Sequence, residues 1–301
     1  MYTYDIAASI VAYKTAPAII NKAIYSFLQT ELHVAILIID NSPTNILYQD
    51  LLKDDRVTYI FNNKNVGFSK AHNQGINYFR NKTKYFLVLN PDVYFEGSVL
   101  TDLFEYMEAN ADTGLIAPKV LYPNGRNQIS RRLIPSPIDL IVRRLPLGNK
   151  LFHKRARTNE YLDAQSHQIL EVPFLLGCFM FLRATALAKS GLFDERYFVY
   201  LEDLDLCRRM NKHYKVVYHG QSKIYHIYQR DSSKNLKMLF LHTISMIKYF
   251  NKWGWLSDAD RKEMNYRALA LVNAKEEENK YALADSMHPH FDMHNTSTAS
   301  S

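Results

Sequence analysis

The sequence predicts an α/β fold in which a mostly parallel sheet is wound between helices on both faces, and three observations predict it. Ile6 to Ala12, Ala35 to Ile39, Val57 to Phe61 and Tyr85 to Leu89 are short apolar runs that each stop at polar or turn residues, as strands covered on both faces do. Ala18 to Gln29 and Lys70 to Phe79 lie between such runs with helical spacing, and Val99 to Glu108 follows the last of them. Tyr13, Asp40-Asn41-Ser42 and Asn90-Pro91-Asp92 all fall just after a strand, at the carboxyl edge where open α/β sheets hold their ligands.

The pattern changes from Leu115 onward. Tyr122-Pro123-Asn124-Gly125-Arg126 has Asn-Gly at its tip and predicts a hairpin turn. A long basic, proline-bearing excursion is expected after it. Val172 to Leu182 reads as one buried strand, Ala184 to Ser190 as a short helix stopped by Gly191, Asp203 to Lys212 as a helix, and Lys215 to Tyr218 as a strand. Asn235 to Trp255 predicts a helix packed through Leu236, Leu239, Phe240, Thr243, Ile247 and Phe250. Its Lys237, Lys248 and Lys252, beside Trp253 and Trp255, also suit a helix seated in a lipid monolayer. The expected units are residues 1–230, divided at 115/116, a helical region 231–283, and a small polar tail, 284–301, without structure.

The chain has 301 residues, 47% apolar and 22% charged, which suits a folded protein with a substantial core. Its formal charge of +7 suits an anionic partner such as a nucleotide, a diphosphate or an acidic membrane surface. The basic excess gathers in Arg126, Arg131, Arg132, Arg143, Arg144, Lys150, Lys154, Arg155 and Arg157, opposed only by Asp139, and reads equally as a solvated loop. Cys178 and Cys207 are not in metal-binding spacing and are expected as buried thiols. Met1-Tyr2-Thr3-Tyr4-Asp5 has no basic stretch ahead of its apolar run, so no cleaved leader is expected, and no apolar run is long enough to cross a bilayer. The expected setting is the cytoplasm, free or peripheral to the inner face of the cell membrane.

Two acidic groups stand out. Asp92 closes the fourth strand, and Glu202, Asp203 and Asp205 lie in an aromatic-rich stretch far downstream. An enzyme needs such a pair if one group holds a metal-bound phosphate while the other takes a proton. Each also has a plainer reading. Asp40 in Asp-Asn-Ser-Pro and Asp92 in Asn-Pro-Asp are good turn residues, Asn65 to Gly75 is a loop-to-helix joint, and Glu202-Asp203 suits a helix start. Asp205 is expected to pair with Arg208 or Arg209.

Tyr13, Ile39-Asp40-Asn41-Ser42, Asn65-Val66-Gly67-Phe68-Ser69-Lys70-Ala71-His72-Asn73-Gln74-Gly75-Ile76, Leu89-Asn90-Pro91-Asp92-Val93 and Tyr200-Leu201-Glu202-Asp203-Leu204-Asp205-Leu206-Cys207-Arg208-Arg209, in this order, resemble the family 2 glycosyltransferases, especially their rhamnosyltransferase-like branch. The resemblance runs from about residue 5 to 230 and implies a GT-A fold, with a Rossmann-like half for a nucleoside diphosphate sugar and a second half for the acceptor. It implies that Tyr13, Asp40, Asn65, Gly67, Asn73, Asn90 and Asp92 bind the nucleotide sugar, through base or ribose at Asp40 and through the diphosphate or sugar at the glycine-bearing loop. Asn90-Pro91-Asp92 stands where the family has Asp-x-Asp, so Asp92, with His226, is the implied ligand of a divalent ion, Mg2+ or Mn2+. Asn90 offers only a neutral amide oxygen, and Ser69 stands where relatives have a smaller residue.

The resemblance makes Asp203, paired with Glu202, the general base for an inverting transfer. Gly177-Cys178-Phe179-Met180 resembles the strand lining the acceptor pocket. The implied donor is dTDP-rhamnose or a UDP-sugar, and the acceptor a cell-surface glycan, on a polyprenyl diphosphate carrier or free. A noncatalytic nucleotide-sugar or glycan-binding protein of the same fold is the alternative. Nucleic acid is not an expected partner, because carboxylates at the strand ends repel phosphates, and the lysine-rich early loop of a nucleotidyltransferase is missing.

Overall fold

In a computed structural model of the chain, residues 2–142, 158–160, 166–227 and 236–287 are described. A ten-stranded sheet in the order β3-β2-β1-β4-β11-β6-β12-β5, with β7 on β6 and β9 on β12, organises them. β1 (Tyr4–Ala12), β2 (Val34–Asp40), β3 (Val57–Phe61) and β4 (Thr83–Leu89) pair in parallel, joined by α1 (Pro17–Leu28), α2 (Leu47–Asp50) and α3 (Phe68–Tyr78). β5 (Val93–Tyr94) and α4 (Ser98–Ala109) lead to β6 (Thr113–Leu121), which turns at Tyr122 to Arg126 into β7 (Asn127–Gln128) as an antiparallel hairpin. Tyr122 N–H donates to Arg126 O at 2.8 Å, and Gly125 takes φ 81°, so the turn expected from Asn-Gly is present.

The alternation of side chains across the central strands divides the core. Ile6, Ala8, Ile10, Ile36, Ile38, Leu87 and Leu89 pack on α1 and α4, while Ala7, Leu37, Ile39, Phe86 and Val88 face the other layer. That second layer holds α3, α6 (Ala184–Ser190), α7 (Glu202–Met210), α8 (Leu236–Trp253) and α9 (Ala259–Met287).

Three expectations change here. The buried strand read over Val172 to Leu182 is two pieces, β10 (Phe174–Leu175) and β11 (Phe179–Arg183), preceded by a separate strand β9 (Ile169–Glu171). Pro173 cannot donate to a ladder, and Leu176 N–H goes to Ser130 O instead. β10 pairs with β8 (Arg131–Arg132) in a separate small sheet, and β11 inserts antiparallel between β4 and β6. The strand expected over Lys215 to Tyr218 continues to His226 as β12 (Lys215–His226), with an irregularity between His219 and Lys223. Gly220 lies inside it, where a Cβ would come within 2.5 Å of Gln168 O. Helix α5 (Pro137–Val142) and helix α9 were not read as separate elements. α9 runs to Met287, into the stretch expected to lack structure, and residues 288–301 lie outside the described ones.

The basic run also divides. Arg131 is buried with its guanidinium over the Tyr218 ring at 4.3 Å, and Arg132 lies 3.7 Å from Glu160, so neither belongs to a solvated loop. Arg143, Arg144, Lys150, Lys154, Arg155 and Arg157 lie outside the described residues.

Helix α8 keeps only part of its expected face inward, with Phe250 buried as expected. Leu236, Leu239, Phe240 and Ile247 are exposed by 83, 38, 64 and 43%, whereas Ser245, Tyr249 and Phe250 are buried. The residues turned inward are held by polar partners: Ser245 Oγ donates to Val199 O at 2.8 Å, and the Arg208 guanidinium donates to Tyr249 Oη at 3.2 Å. Apolar periodicity alone cannot register such a face.

Candidate active site

Strands β1, β2 and β4 end together. Tyr13, just past β1, is 47% exposed, and Lys14, with φ 53°, donates its N–H to Ser42 Oγ at 2.8 Å, tying the first strand's exit to the second's. Asp40 closes β2 with no exposed surface. Its Oδ1 accepts Ser42 N–H at 2.8 Å and its Oδ2 accepts the Tyr59 hydroxyl at 2.7 Å, so the turn reading of Asp40 is realised and Tyr59 is the partner that sequence reasoning missed.

The glycine-bearing loop opens α3. Asn65 is exposed and its Oδ1 accepts Gly67 N–H at 3.0 Å. Gly67 sits at φ 88°, where a Cβ would lie 2.6 Å from Phe198 O, and the next residue's N–H donates to that same oxygen at 2.8 Å. The loop is thereby docked on the segment that leads into Glu202-Asp203. Gly75 lies inside α3, where its missing Cβ admits Ser9. Asn73 is 4% exposed and is not brought to the mouth. Its amide brackets Phe193, accepting that N–H at 3.0 Å and donating to its carbonyl at 2.9 Å.

After β4, Asn90, Pro91 and Asp92 are partly exposed, and Asn90 N–H donates to Cys178 O at 2.9 Å. β5 pairs with the end of β12, which sets His226 opposite Val93. His226 Nε2 thus comes within 3.3 Å of Asp92 Oδ1, while its Nδ1 lies 3.2 Å from Gln128 Nε2. Burial lowers the affinity of His226 for a proton, but Cys178 and Asp92 outweigh it and push the imidazole up to about 10. A carboxylate oxygen and an imidazole nitrogen this close form a donor pair that fits a divalent ion, whose binding would displace the imidazole proton. Among the described residues no three His, Cys, Asp or Glu side chains cluster as a metal cage. The remaining positions on such an ion would fall to diphosphate oxygens and water.

Helix α7 carries the second acidic group. Tyr200 and Leu201 precede it at φ 72° and 68°, two left-handed residues in succession that are not glycine. Ser245 Oγ on Val199 O, the His242 ring 5.2 Å from Tyr200, and the burial of Leu201 hold that turn. Asp203 is partly exposed; its Oδ2 accepts Gly177 N–H at 2.9 Å and its Oδ1 accepts Leu204 N–H at 2.8 Å. Burial raises its pKa against the pull of these N–H groups and of Arg132. Glu202 is buried with Oε2 lacking a hydrogen-bond partner, and burial first, then the Asp203 charge, raises it well above the usual range. Asp203 is therefore the more acidic and more accessible of the two. Asp205 is fully buried and pairs with Arg209 at 2.8 Å, as its spacing predicts, and also with Lys252 at 2.7 Å. Arg208 goes instead to Asp258.

Gly177 and Cys178 join the two acidic groups. Gly177 N–H holds Asp203, Cys178 O holds the Asn90 N–H, and Cys178 also borders His226. Fully stretched, two residues and two hydrogen bonds span about 13 Å, so Asp203 and the Asn90 backbone lie no farther apart than that. Sequence reasoning named Gly177 as a pocket wall; its N–H as the orienter of Asp203 had no signal in the chain, nor did Gln128 beside His226.

Acidic groups gathered from remote segments at the carboxyl edge of a sheet are the architecture of α/β proteins that bind a ligand there. A family model described as "Glycosyl transferase family 2" matches residues 9–190, and the chain belongs to that family. It is similar to "Low-salt glycan biosynthesis hexosyltransferase Agl10" of Haloferax volcanii (25% identical over 210 residues; 69% of this chain, 62% of that protein). It is also similar to "N-acetylglucosaminyl-diphospho-decaprenol L-rhamnosyltransferase" of Mycobacterium tuberculosis (28% over 200 residues; 62% and 63%). "Rhamnosyltransferase WbbL" of Escherichia coli is 25% identical over 252 residues, with 79% of this chain and 90% of that protein covered. The chain thus spans less than two thirds of the first two relatives' lengths. Among solved structures, GalNAc-T7 with UDP, GalNAc and Mn2+ superposes with a TM-score of 0.56 at 13% identity, over 75% of this chain and 44% of that one, and shares the GT-A fold. Among the described residues no helix is long and apolar enough to cross a membrane.

Proposed function

We propose that the chain is an inverting glycosyltransferase that moves rhamnose from a nucleoside diphosphate donor, dTDP-rhamnose ahead of a UDP-sugar, to a hydroxyl of a lipid-linked glycan at a membrane surface. The observation that carries the reading is Asp203: a partly exposed carboxylate with raised proton affinity, fixed by Gly177 N–H on the same dipeptide that holds the Asn90 backbone. The rhamnosyltransferase names of two relatives support the donor sugar, and the decaprenol diphosphate in one of them supports the lipid carrier.

Asp203 takes the proton of the acceptor hydroxyl as that oxygen bonds to the anomeric carbon. The bond from that carbon to the diphosphate breaks on the opposite face, and the nucleoside diphosphate leaves. Attack and departure on opposite faces invert the configuration. Burial, then the Asp203 charge, raises Glu202 well above its usual range, while N–H groups and Arg132 pull Asp203 down, so the pair favours the negative charge on Asp203. Asp92 and His226 would hold a divalent ion, whose charge offsets that of the departing diphosphate. Tyr13, Asn65, Gly67, Asn90 and Asp92 line the donor side, with Asp40 and Asn73 shaping it from behind through Ser42, Tyr59 and Phe193.

The test is Asp203→Asn against wild type, with a panel of nucleotide sugars, Mg2+ or Mn2+, and a soluble diphospholipid-type acceptor. Transfer should fall about 10²–10⁴-fold while calorimetric donor affinity stays, and the wild-type product should carry the inverted anomer by NMR. Unimpaired transfer, or a retained anomer, excludes Asp203 as the base. Donor binding without transfer in wild type would instead support a noncatalytic binding protein.

A further inference from the structure

We propose that the outward face of α8, the helix whose inward face holds the turn leading into Glu202-Asp203, is a docking surface for an anionic lipid bilayer. At about 100° per residue, Leu236, Phe240 and Ile247 fall within a sector of roughly 40°, and they are exposed by 83, 64 and 43%. Roughly opposite that sector lie Ser245 and Tyr249, both buried against the core. The helix is therefore oriented, and an apolar stripe over roughly its first three turns is left in water while Tyr249 and Phe250 enter the core.

Charge chooses the occupant. α8 carries Lys237, Lys248 and Lys252 and no Asp or Glu. The first two are exposed along one margin of the apolar stripe, Lys248 Nζ also donating to Arg196 O at 2.7 Å, while Lys252 pairs inward with Asp194 and Asp205. Lysines beside a leucine and phenylalanine stripe match a bilayer interface, with stems along the acyl boundary and ammonium groups at anionic headgroups. The neighbouring helix α9 makes the contrast, since its exposed side mixes Asp260 and Glu263 with Lys262 and Arg267, whereas α8 carries no Asp or Glu. Trp253, expected at the lipid, turns inward instead: its Nε1–H donates to Asp205 at 2.8 Å and its ring lies under Arg208 at 4.1 Å. The membrane contact thus belongs to the first half of the helix.

That half touches the site. His242 lies against Tyr200, and Ser245 holds Val199 O, so the same helix that presents the lipid-facing stripe on its outer side holds, on its inner side, the residues that lead into Glu202-Asp203. A membrane held there keeps a lipid-linked acceptor close to the helix that supports the Asp203 segment. This purpose rests on the function proposed above, whereas the docking surface itself does not.

The experiment compares the full chain with a Leu236→Glu/Phe240→Glu variant by co-sedimentation with vesicles of phosphatidylcholine alone or with phosphatidylglycerol. Wild type should bind the anionic vesicles, weakly bind the neutral ones, and lose binding about tenfold or more in the variant. Both proteins should give the same circular dichroism and transfer equally to a water-soluble acceptor, with the variant impaired only when the acceptor is embedded in vesicles. Absent vesicle binding, equal binding by the variant, or equal loss of transfer to both acceptors overturns the proposal. So does sedimentation of wild type as a dimer that the variant dissolves without change in vesicle binding, because the face would then be a contact between copies. Absence of any transfer by wild type would refute the glycosyltransferase reading and leave the vesicle result legible.

Discussion

Replacing Asp258 by alanine strands the Arg208 guanidinium in the layer that supports the catalytic helix. The two side chains are 1% and 2% exposed, and Arg208 Nη1 donates to Asp258 Oδ2 at 2.7 Å while Nη2 donates to Oδ1. Breaking one partner of such a buried pair costs about 3–5 kcal/mol, more than the intact pair contributes, because the remaining charge keeps its desolvation penalty. Asp258 Oδ1 also accepts Arg261 N–H at 3.0 Å, capping the start of α9. Losing that cap adds about 1 kcal/mol. The sum, about 4–6 kcal/mol, is a large part of the stability of an ordinary domain. At ~2–3 °C per kcal/mol it lowers Tm by roughly 8–18 °C. Urea unfolding followed by fluorescence of Trp253 and Trp255, against far-ultraviolet dichroism for the whole chain, measures it. The double variant Arg208→Met/Asp258→Ala should recover most of the pair's share, since it removes the orphaned charge. An Asp258→Ala loss below about 1 kcal/mol, or a tryptophan transition separate from the dichroism, would falsify the view that α8 and α9 are built into the catalytic layer.

Gly177→Ala puts a Cβ 3.0 Å from Asp203 Cβ, so the base must shift by a few tenths of an ångström; kcat should drop about tenfold with donor KM unchanged, and an unaltered kcat counts against Gly177 as its orienter. For Glu202 the folded protein keeps a proton that the unfolded chain releases above its usual 4.5, so this group's contribution to stability falls as pH rises through that value. Glu202→Gln should therefore gain Tm relative to wild type as pH rises above the usual glutamate value, and a difference independent of pH in calorimetry contradicts the buried proton. Asp203 carries a raised pKa, so transfer should have an acidic limb that rises with pH through that elevated value. His226→Ala should raise the Mn2+ concentration for half-maximal transfer by about tenfold or more, and an identical metal titration would remove His226 from the ligand set.

The parallel half of the fold was legible because β1, β2 and β4 are covered on both faces, so burial writes an unbroken apolar run that polar residues end, and the half-buried edge strand β3 keeps a short apolar run of its own. The boundaries over Val57 to Phe61 and Ala184 to Ser190 coincide with those read from the chain, and the motifs at Tyr13, Asp40 and Asp92 do lie at the carboxyl edge. Reading failed where an apolar run had more than one use. Val172 to Leu182 is continuous in hydropathy, yet Pro173 and the turn at Gly177 split it between two sheets. In α8, Ser245 and Tyr249 find buried partners on Val199 and Arg208, and that turns Leu236, Phe240 and Ile247 outward while Phe250 alone of the expected face is fully buried.

Local sequence by itself settled which residue types could do chemistry and where along the chain they stood, because strand ends, glycine turns and helix starts are short-range features. Tertiary structure alone decided which of them meet. Gly177 and Cys178 link Asp203 to Asn90, β12 brings His226 to Asp92, and Asn73 is drawn away to bracket Phe193. Hydrogen bonds between residues far apart in the chain leave no periodic trace in the sequence, since a single backbone N–H or carbonyl can serve any partner that the packing delivers.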